Sequence, residues 1–223
     1  MSFTNDIFRC RLYIISPPAL DPLIFTATLA RALDAGDVAA FQLRLPKSSE
    51  ADMLRAIEVL MPAVHERDCA FIVNDRADLA KKMETDGVHL GLQDINIRDA
   101  RSMLGDDAII GASAIDSKHL AMTAAERGAS YVSFGPFYQS RSPFYPPEVL
   151  DAQNMARPDL LTWWQETMEI PCVAAGGIRP SNCGDLVRAG ADFICASTAV
   201  WEHPQGAPAA VRAFNDAISR AAA

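Results

Sequence analysis

The sequence has few features that would place the chain in a membrane or against a nucleic acid. No apolar run approaches the ~20 residues needed to cross a bilayer. Residues 1–11 are polar and charged where a signal peptide would have its apolar centre. Positive charge is also scarce, because 20 Lys and Arg stand against 28 Asp and Glu and the net charge is −8. Nucleic-acid-binding surfaces are usually basic. We therefore expect a protein that contacts neither a membrane nor a nucleic acid.

Cysteine provides neither a disulfide framework nor a zinc site. The five cysteines are odd in number, widely spaced and contain no Cys-x-x-Cys pair. Several lie in apolar runs, where a thiol behaves as a small hydrophobic group. This use of cysteine predicts a reducing, cytoplasmic setting. The oligomeric state is left open by the sequence, and a homo-oligomer is one of the alternatives.

Eight apolar runs typical of buried strands alternate with amphipathic stretches typical of helices. The strands are predicted at residues 11–16, 38–43, 70–73, 87–90, 108–112, 131–134, 172–175 and 193–196. Continuous apolar strands between helices indicate a parallel sheet covered by helices. Eight such units in a chain slightly shorter than the typical ~250 residues favour an α/β fold, a single-domain (β/α)8 TIM barrel over residues 1–223. A doubly wound sheet is the alternative. No Gly-x-Gly-x-x-Gly follows an early strand, which argues against a dinucleotide site.

Polar residues recur at the C-terminal ends of the predicted strands, where such barrels carry their active sites. Two carboxylates with cations and hydroxyls at one mouth suit a phosphate bridged by Mg²⁺. The candidates, in strand order, are Gln42, Arg44 and Lys47; Asn74 and Asp75; Asp94; Ser113; Ser140 and Ser142; Gly177; and Ser197 and Thr198.

The stretch Pro171–Asn182 combines a short apolar strand, the pair Gly176-Gly177 and a helix for which Ser181 is the predicted N-cap. A strand, two glycines and a helix direct backbone N–H groups at an anion. The alternative is a tight turn with no ligand.

Each candidate side chain also has an interpretation without a ligand. Asp75 and Asp94 are placed where they would cap the third and fourth helices. Arg44 and Lys47 would otherwise form a solvated face, and His89 is more typical of a hydrogen-bonded core histidine than of a ligand. Because all these residues fall at one end of the predicted strands, we favour a shared site.

Eight short motifs occur in the order and spacing of one known family. In these motifs the chain resembles thiamine phosphate synthase over nearly its whole length. They are Arg11–Ser16, Gln42-Leu-Arg44, Asn74-Asp75-Arg76, Asp86-Gly-Val-His-Leu-Gly91 with Asp94, Gly111-Ala-Ser113, Tyr131–Pro136, Ala175-Gly-Gly-Ile178 with Asn182, and Gly190-Ala-Asp192 with Ser197.

The resemblance implies a (β/α)8 barrel that joins hydroxymethylpyrimidine diphosphate to thiazole phosphate, releases diphosphate and uses Mg²⁺. It implies that Gln42 and Arg44 hold the pyrimidine diphosphate, with Asn74 facing the pyrimidine and Ser113 contacting the diphosphate. Asp75 and Asp94 would ligate Mg²⁺. The thiazole phosphate would lie against the N–H groups around Gly177 and Ser197.

Three departures from the family pattern lie near the implied diphosphate site. The usual Thr-x-Thr-Lys reads Ser140-Arg141-Ser142-Pro143, so hydroxyls remain and proline replaces the lysine. The Gln of Gly-Gln-x-Asp is Leu92, and the basic residue near Arg44 comes one place late, as Lys47.

Three hypotheses follow from these departures. The chain is an active synthase with a rewired loop, with Lys47 or Arg141 replacing the lysine. Alternatively, it is a barrel of the thiazole tautomerase type, although Pro136 stands where that type has its catalytic histidine. The third alternative is a phosphate-binding paralogue without catalysis.

Overall fold

Eight parallel strands close into a barrel in a computed structural model that describes residues 10–140 and 155–223. Each strand pairs with its neighbours in chain order, and β8 pairs with β1. This confirms the predicted (β/α)8 architecture and excludes the doubly wound sheet. The strands are β1 Arg11–Ile15, β2 Val38–Leu43, β3 Ala70–Asn74, β4 Gly87–Leu90, β5 Ile109–Ile115, β6 Tyr131–Phe134, β7 Cys172–Ala174 and β8 Phe193–Ala196.

Helices cover the outside of the barrel. In the described part of the chain they are α1 Pro22–Leu33, α2 Glu50–His65, α3 Ala77–Met83, α4 Ile97–Leu104, α5 Lys118–Glu126, α6 Pro158–Thr167, α7 Cys183–Arg188, α8 Thr198–Trp201 and α9 Ala207–Ala222. Local sequence explains several boundaries. Asp21, which directly precedes Pro22, caps α1 by accepting a hydrogen bond from the N–H of Leu23. Ser49 forms a capping box with Asp52 at the start of α2.

The cap predicted at Ser181 is wrong. Helix α7 begins at Cys183, after Asn182. The Asn182 side chain accepts a hydrogen bond from the N–H of Arg179 at 2.7 Å and donates to the carbonyl of Gly177 at 3.3 Å. An amide can donate and accept at once, whereas a carboxylate can only accept. Asn182 therefore closes the loop after β7 from both sides.

Strand alternation divides the buried side chains into two layers. Leu12 and Ile14 of β1 pack outwards against the helices, in the larger cluster of apolar residues. Tyr13, between them, faces the barrel interior, where it shares a smaller cluster with Tyr131 and Cys195. All five cysteines are free and buried, as expected for small hydrophobic groups. Within residues 10–140 and 155–223, no helix is long and apolar enough to cross a membrane.

Candidate active site

Two adjacent cavities open at the C-terminal mouth of the barrel. The glycine cavity, of about 490 Å³, lies against the loops after β6, β7 and β8. The carboxylate cavity, of about 450 Å³, lies over the centre of the barrel and is lined by residues from all eight strands. Both are lined by Ile15, Arg44, Ala175 and Cys195. The two cavities are therefore contiguous, and Arg44 stands at their boundary.

Most of the predicted site residues lie in one of these cavities. The carboxylate cavity is lined by Gln42, Arg44, Asn74, Asp75, Asp94 and Ser113. The glycine cavity is lined by Arg44, Ser140, Gly177, Ser197 and Thr198. Lys47 is exposed and does not line either cavity as formed by the described residues. Ser142 lies outside the described residues, as do Arg141 and Pro143.

The two aspartates of the carboxylate cavity do not cap helices. The residue before α3 is Arg76, and the cap of α4 is Asn96, which accepts a hydrogen bond from the N–H of Arg98. Asp94 instead accepts a hydrogen bond from the N–H of Gly91 at 2.5 Å. Asp75 adopts a left-handed backbone with φ 63°, and this conformation turns the chain as it leaves β3. The capping interpretation of both residues is wrong.

Asp75 and Asp94 lie close enough to share a proton. Burial, followed by a hydrogen bond that protonated Asp75 donates to the Asp94 side chain, raises the pKa of Asp75 to about 7, against the opposing charge of Arg44. Two carboxyl groups that close together favour a cation or a proton between them.

The donor set fits Mg²⁺. A Cβ on Gly91 would lie 3.0 Å from Oδ2 of Asp94 and 4.0 Å from Oδ1 of Asp75, so the glycine leaves open space beside both carboxylates. Within residues 10–140 and 155–223, no group of three or more His, Cys, Asp or Glu side chains could hold a metal ion, and this site offers two carboxylates. Mg²⁺ commonly binds one or two carboxylates and takes its other ligands from phosphates and water.

His89 is hydrogen-bonded on both ring nitrogens, as predicted for a core histidine, but it also lines the carboxylate cavity. Nδ1 lies 3.0 Å from the hydroxyl of Tyr131, and Nε2 lies 2.9 Å from Oγ of Ser113. Burial, assisted by the charge of Arg44, lowers the pKa of His89 to about 4. The ring is therefore neutral at neutral pH.

The glycine cavity presents backbone N–H groups. Gly177 has φ 67°, and a Cβ there would lie 2.5 Å from the carbonyl oxygen of Gln139, so the loop requires glycine on both counts. The N–H groups of Gly176, Gly177 and Ile178 donate to no acceptor in the part of the chain that the structure describes. Thr198, the first residue of α8, faces the same space. Such an arrangement suits an anion.

Ser16, which sequence reasoning did not single out, connects the two cavities. Its buried Oγ accepts a hydrogen bond from the N–H of Arg44 at 2.9 Å and lies 3.2 Å from the Arg44 carbonyl. Its own carbonyl accepts from Oγ of Ser197 at 3.2 Å. Tyr13 and Tyr131 were also missed. The available signal was a hydroxyl-bearing ring within an otherwise apolar strand.

Comparisons with known proteins point to one family. The family model for thiamine monophosphate synthase matches residues 12–200. The chain is 53% identical over 206 residues to a thiamine-phosphate synthase of Rhodospirillum centenum, covering 92% of this chain and 96% of the relative. It is 45% identical over 212 residues to one of Hyphomonas neptunium, covering 93% of each. A solved thiamine phosphate pyrophosphorylase from Pyrococcus furiosus superposes with a TM-score of 0.80 at 27% identity, covering 95% of this chain and 96% of that one.

Proposed function

The chain belongs to the thiamine monophosphate synthase family, and we propose that it is a transferase that joins hydroxymethylpyrimidine diphosphate to thiazole phosphate. The products are thiamine phosphate and diphosphate. The observation that carries this proposal is the pair of contiguous cavities with Arg44 between them. One cavity has paired carboxylates and the other has backbone donors, which suits one diphosphate and one monophosphate substrate.

The pyrimidine diphosphate binds in the carboxylate cavity. Gln42 and Asn74 face the pyrimidine from the barrel floor, and Arg44 and Ser113 lie on the side of the diphosphate. The thiazole phosphate binds in the glycine cavity against the N–H groups around Gly177 and Ser197. Thr198 and Ser140 line the same cavity, and Ser140 begins the Ser-Arg-Ser segment in which Ser142 stays a prediction.

Asp75 and Asp94 would hold Mg²⁺ beside the leaving diphosphate. When bound there, the ion neutralises charge that develops on the departing oxygen. The arrangement of the two carboxylates around the open space at Gly91 supports this assignment.

The residues present suit a stepwise substitution. The C–O bond between the pyrimidine methylene and the diphosphate breaks, and its electron pair leaves with the diphosphate. The thiazole nitrogen then supplies its lone pair to form the new C–N bond, so no proton needs to be removed. Arg44 faces the developing negative charge at the boundary of the cavities. The neutral His89, with both nitrogens occupied, is in keeping with a reaction that requires no general base.

Lys47 is proposed as the cation that replaces the family's lysine. It follows Arg44 by three residues and is exposed in the loop between β2 and α2. In the described part of the chain its side chain also forms no ion pair that would hold it elsewhere. Replacing Lys47 with alanine should lower kcat with little change in stability.

Purified protein, both substrates and Mg²⁺ test the proposal through release of diphosphate and formation of thiamine phosphate. We expect both, and we expect Asp75→Asn to abolish them while calorimetry still detects thiazole phosphate binding. Binding of thiazole phosphate without diphosphate release would refute the synthase and favour a paralogue without catalysis. Isomerisation of the thiazole ring alone would favour the tautomerase type.

A further inference from the structure

An unbroken chain of hydrogen bonds crosses the floor of the carboxylate cavity. It joins side chains from six different strands, and both of its ends line the cavity. In order, Nε2 of Gln42 donates to Oδ1 of Asn74 at 2.6 Å, and the Tyr13 hydroxyl donates to Oε1 of Gln42 at 3.1 Å. The hydroxyls of Tyr13 and Tyr131 are 3.0 Å apart, and the chain continues through His89 to Ser113.

The proton of each group determines the direction of the next bond. Tyr13 has one proton and gives it to Gln42, so the bond between the two tyrosines must use the proton of Tyr131. Tyr131 then has no proton left for His89, and Nδ1 of the ring must be the donor. A neutral imidazole has only one N–H.

It follows that Nε2 of His89 carries a lone pair and accepts the hydroxyl proton of Ser113. We propose that Tyr13 and Tyr131 are positioning residues, which hold His89 in the Nδ1–H tautomer and so keep the hydroxyl proton of Ser113 pointing at His89, away from the cavity. In the free protein Ser113 therefore faces the cavity as an acceptor, and Asn74 faces it with its N–H donors.

This order has a consequence for ligands. An N–H group of a ligand can bind Ser113 with the order unchanged. An anionic oxygen at Ser113, such as that of the diphosphate in the proposed function, would need the hydroxyl proton, and the bond between Ser113 and Nε2 of His89 would have to break or reverse.

The surroundings of the tyrosines argue against a role in filling space alone. Phenylalanine at both positions would occupy almost the same volume with no hydroxyl to remove from water. Burying a hydroxyl is costly unless it is hydrogen-bonded, so two buried hydroxyls indicate a role for their hydrogen bonds. The fold also makes a specific place for one ring, because a Cβ on Gly111 would lie 2.0 Å from Cζ of Tyr131. Tyr131 stacks on His89 with the ring centres 5.7 Å apart. Both observations indicate that the ring and its hydroxyl are held in one orientation.

Nitrogen NMR of the full chain, labelled with ¹⁵N-histidine, reads the tautomer directly. The chain has four histidines, and the His89 signal in two-bond proton–nitrogen spectra is the one lost in His89→Gln. We expect the Nδ1–H pattern in the wild type. The Nε2–H pattern would overturn the proposal, and this measurement needs no variant that alters the tyrosines.

Tyr13→Phe adds a test that a merely structural residue would not pass. Without its acceptor, the Tyr131 proton becomes available to His89, and we expect the tautomer to switch to Nε2–H. The matched control is Tyr138→Phe, which removes a tyrosine hydroxyl bonded to the carbonyl of Asn182, outside the chain of hydrogen bonds. It should leave the His89 pattern unchanged. A Tyr13→Phe spectrum identical to that of the wild type would overturn the proposal.

Steady-state kinetics extend the test and rest on the proposed function. Tyr13→Phe should lower KM for the pyrimidine diphosphate about tenfold, because the switched tautomer frees the Ser113 hydroxyl proton for one hydrogen bond to the diphosphate. KM for thiazole phosphate should stay unchanged, because the chain of hydrogen bonds does not reach the glycine loop. Equal rises for both substrates would indicate general damage and contradict a positioning role. If the wild type released no diphosphate, the proposed function would fail, while the spectra would still decide the proton order.

Discussion

Replacing Asp75 with asparagine should stabilise the protein above pH 7 when no divalent cation is present. The pKa of Asp75 is raised from 3.8 to about 7, so the folded protein binds more protons than the unfolded chain between these values. Stability is therefore present at low pH and is lost as the pH rises through this window. Asparagine has no charge to lose and can donate its N–H to Asp94, so the variant avoids the loss.

The size of the effect follows from the shift. About 3 pKa units at about 1.4 kcal/mol each would give about 4 kcal/mol for a fully buried group. Burial of the Asp75 carboxyl is only partial, because the residue is exposed to solvent at the cavity mouth; solvent screens its charge there, and we therefore expect about 1–2 kcal/mol. The backbone contributes little to the difference, because asparagine tolerates the left-handed φ of 63° as well as aspartate does.

Urea unfolding followed by tryptophan fluorescence, with chelator present, measures this difference at pH 8 and pH 5. Asp75→Asn should exceed the wild type by about 1–2 kcal/mol at pH 8 and by less than half of that at pH 5, because the wild-type loss begins near pH 3.8 and is complete only near pH 7. Millimolar Mg²⁺ should raise only the stability of the wild type, since binding to the folded state alone is stabilising.

The matched control is Asp68→Asn. Asp68 is exposed, has φ 50° and lies in the loop between α2 and β3, at the opposite end of the barrel. Its replacement controls for the loss of one carboxylate at a left-handed backbone position outside the carboxylate cavity. A gain for Asp75→Asn that is equal at both pH values, or a loss at pH 8, would refute the idea that the two carboxylates repel each other.

Three further predictions concern the cavities. Gly177→Ala should raise KM for thiazole phosphate at least tenfold, because its Cβ would meet a carbonyl oxygen at 2.5 Å. Gly105→Ala controls for the positive φ, since Gly105 has φ 92° with open space around it, and this variant should leave KM unchanged. Gly91→Ala should weaken Mg²⁺ activation about tenfold with little change in urea stability, because its Cβ would lie 3.0 Å from the end of the Asp94 side chain; an unchanged Mg²⁺ dependence would count against the metal site. His89→Gln should resist acid better than the wild type. Because the pKa of His89 is lowered from 6.5 to about 4, stability that is present above pH 6.5 is lost as the pH falls towards 4. Urea titrations at pH 7 and pH 5 should show the wild type losing about 2 kcal/mol more than the variant, and parallel losses would contradict a neutral buried ring.

The barrel and its mouth could be predicted from local features. Strand bounds such as Val38–Leu43 and Gly87–Leu90 agree with the apolar runs, since a buried parallel strand is apolar on both faces. Parallel strands also bring their C-terminal ends to one rim, so polar residues at those ends were expected to meet. The prediction of the fifth strand was short, because β5 continues to Ile115 and contains Ser113. A strand end with small polar residues has no strong local stop signal.

What only the tertiary structure decided was how those polar residues are partnered. By sequence alone, Asp75 and Asp94 suited a helix cap as well as a cation, because both roles use the same carboxylate after a strand. The distance between them depends on the pairing of β3 with β4. The bond between Tyr13 and Tyr131 spans 118 positions, and no local pattern encodes it. Apolar periodicity and turn residues therefore determined the barrel, whereas its closure determined which groups share protons, charge and space at the mouth.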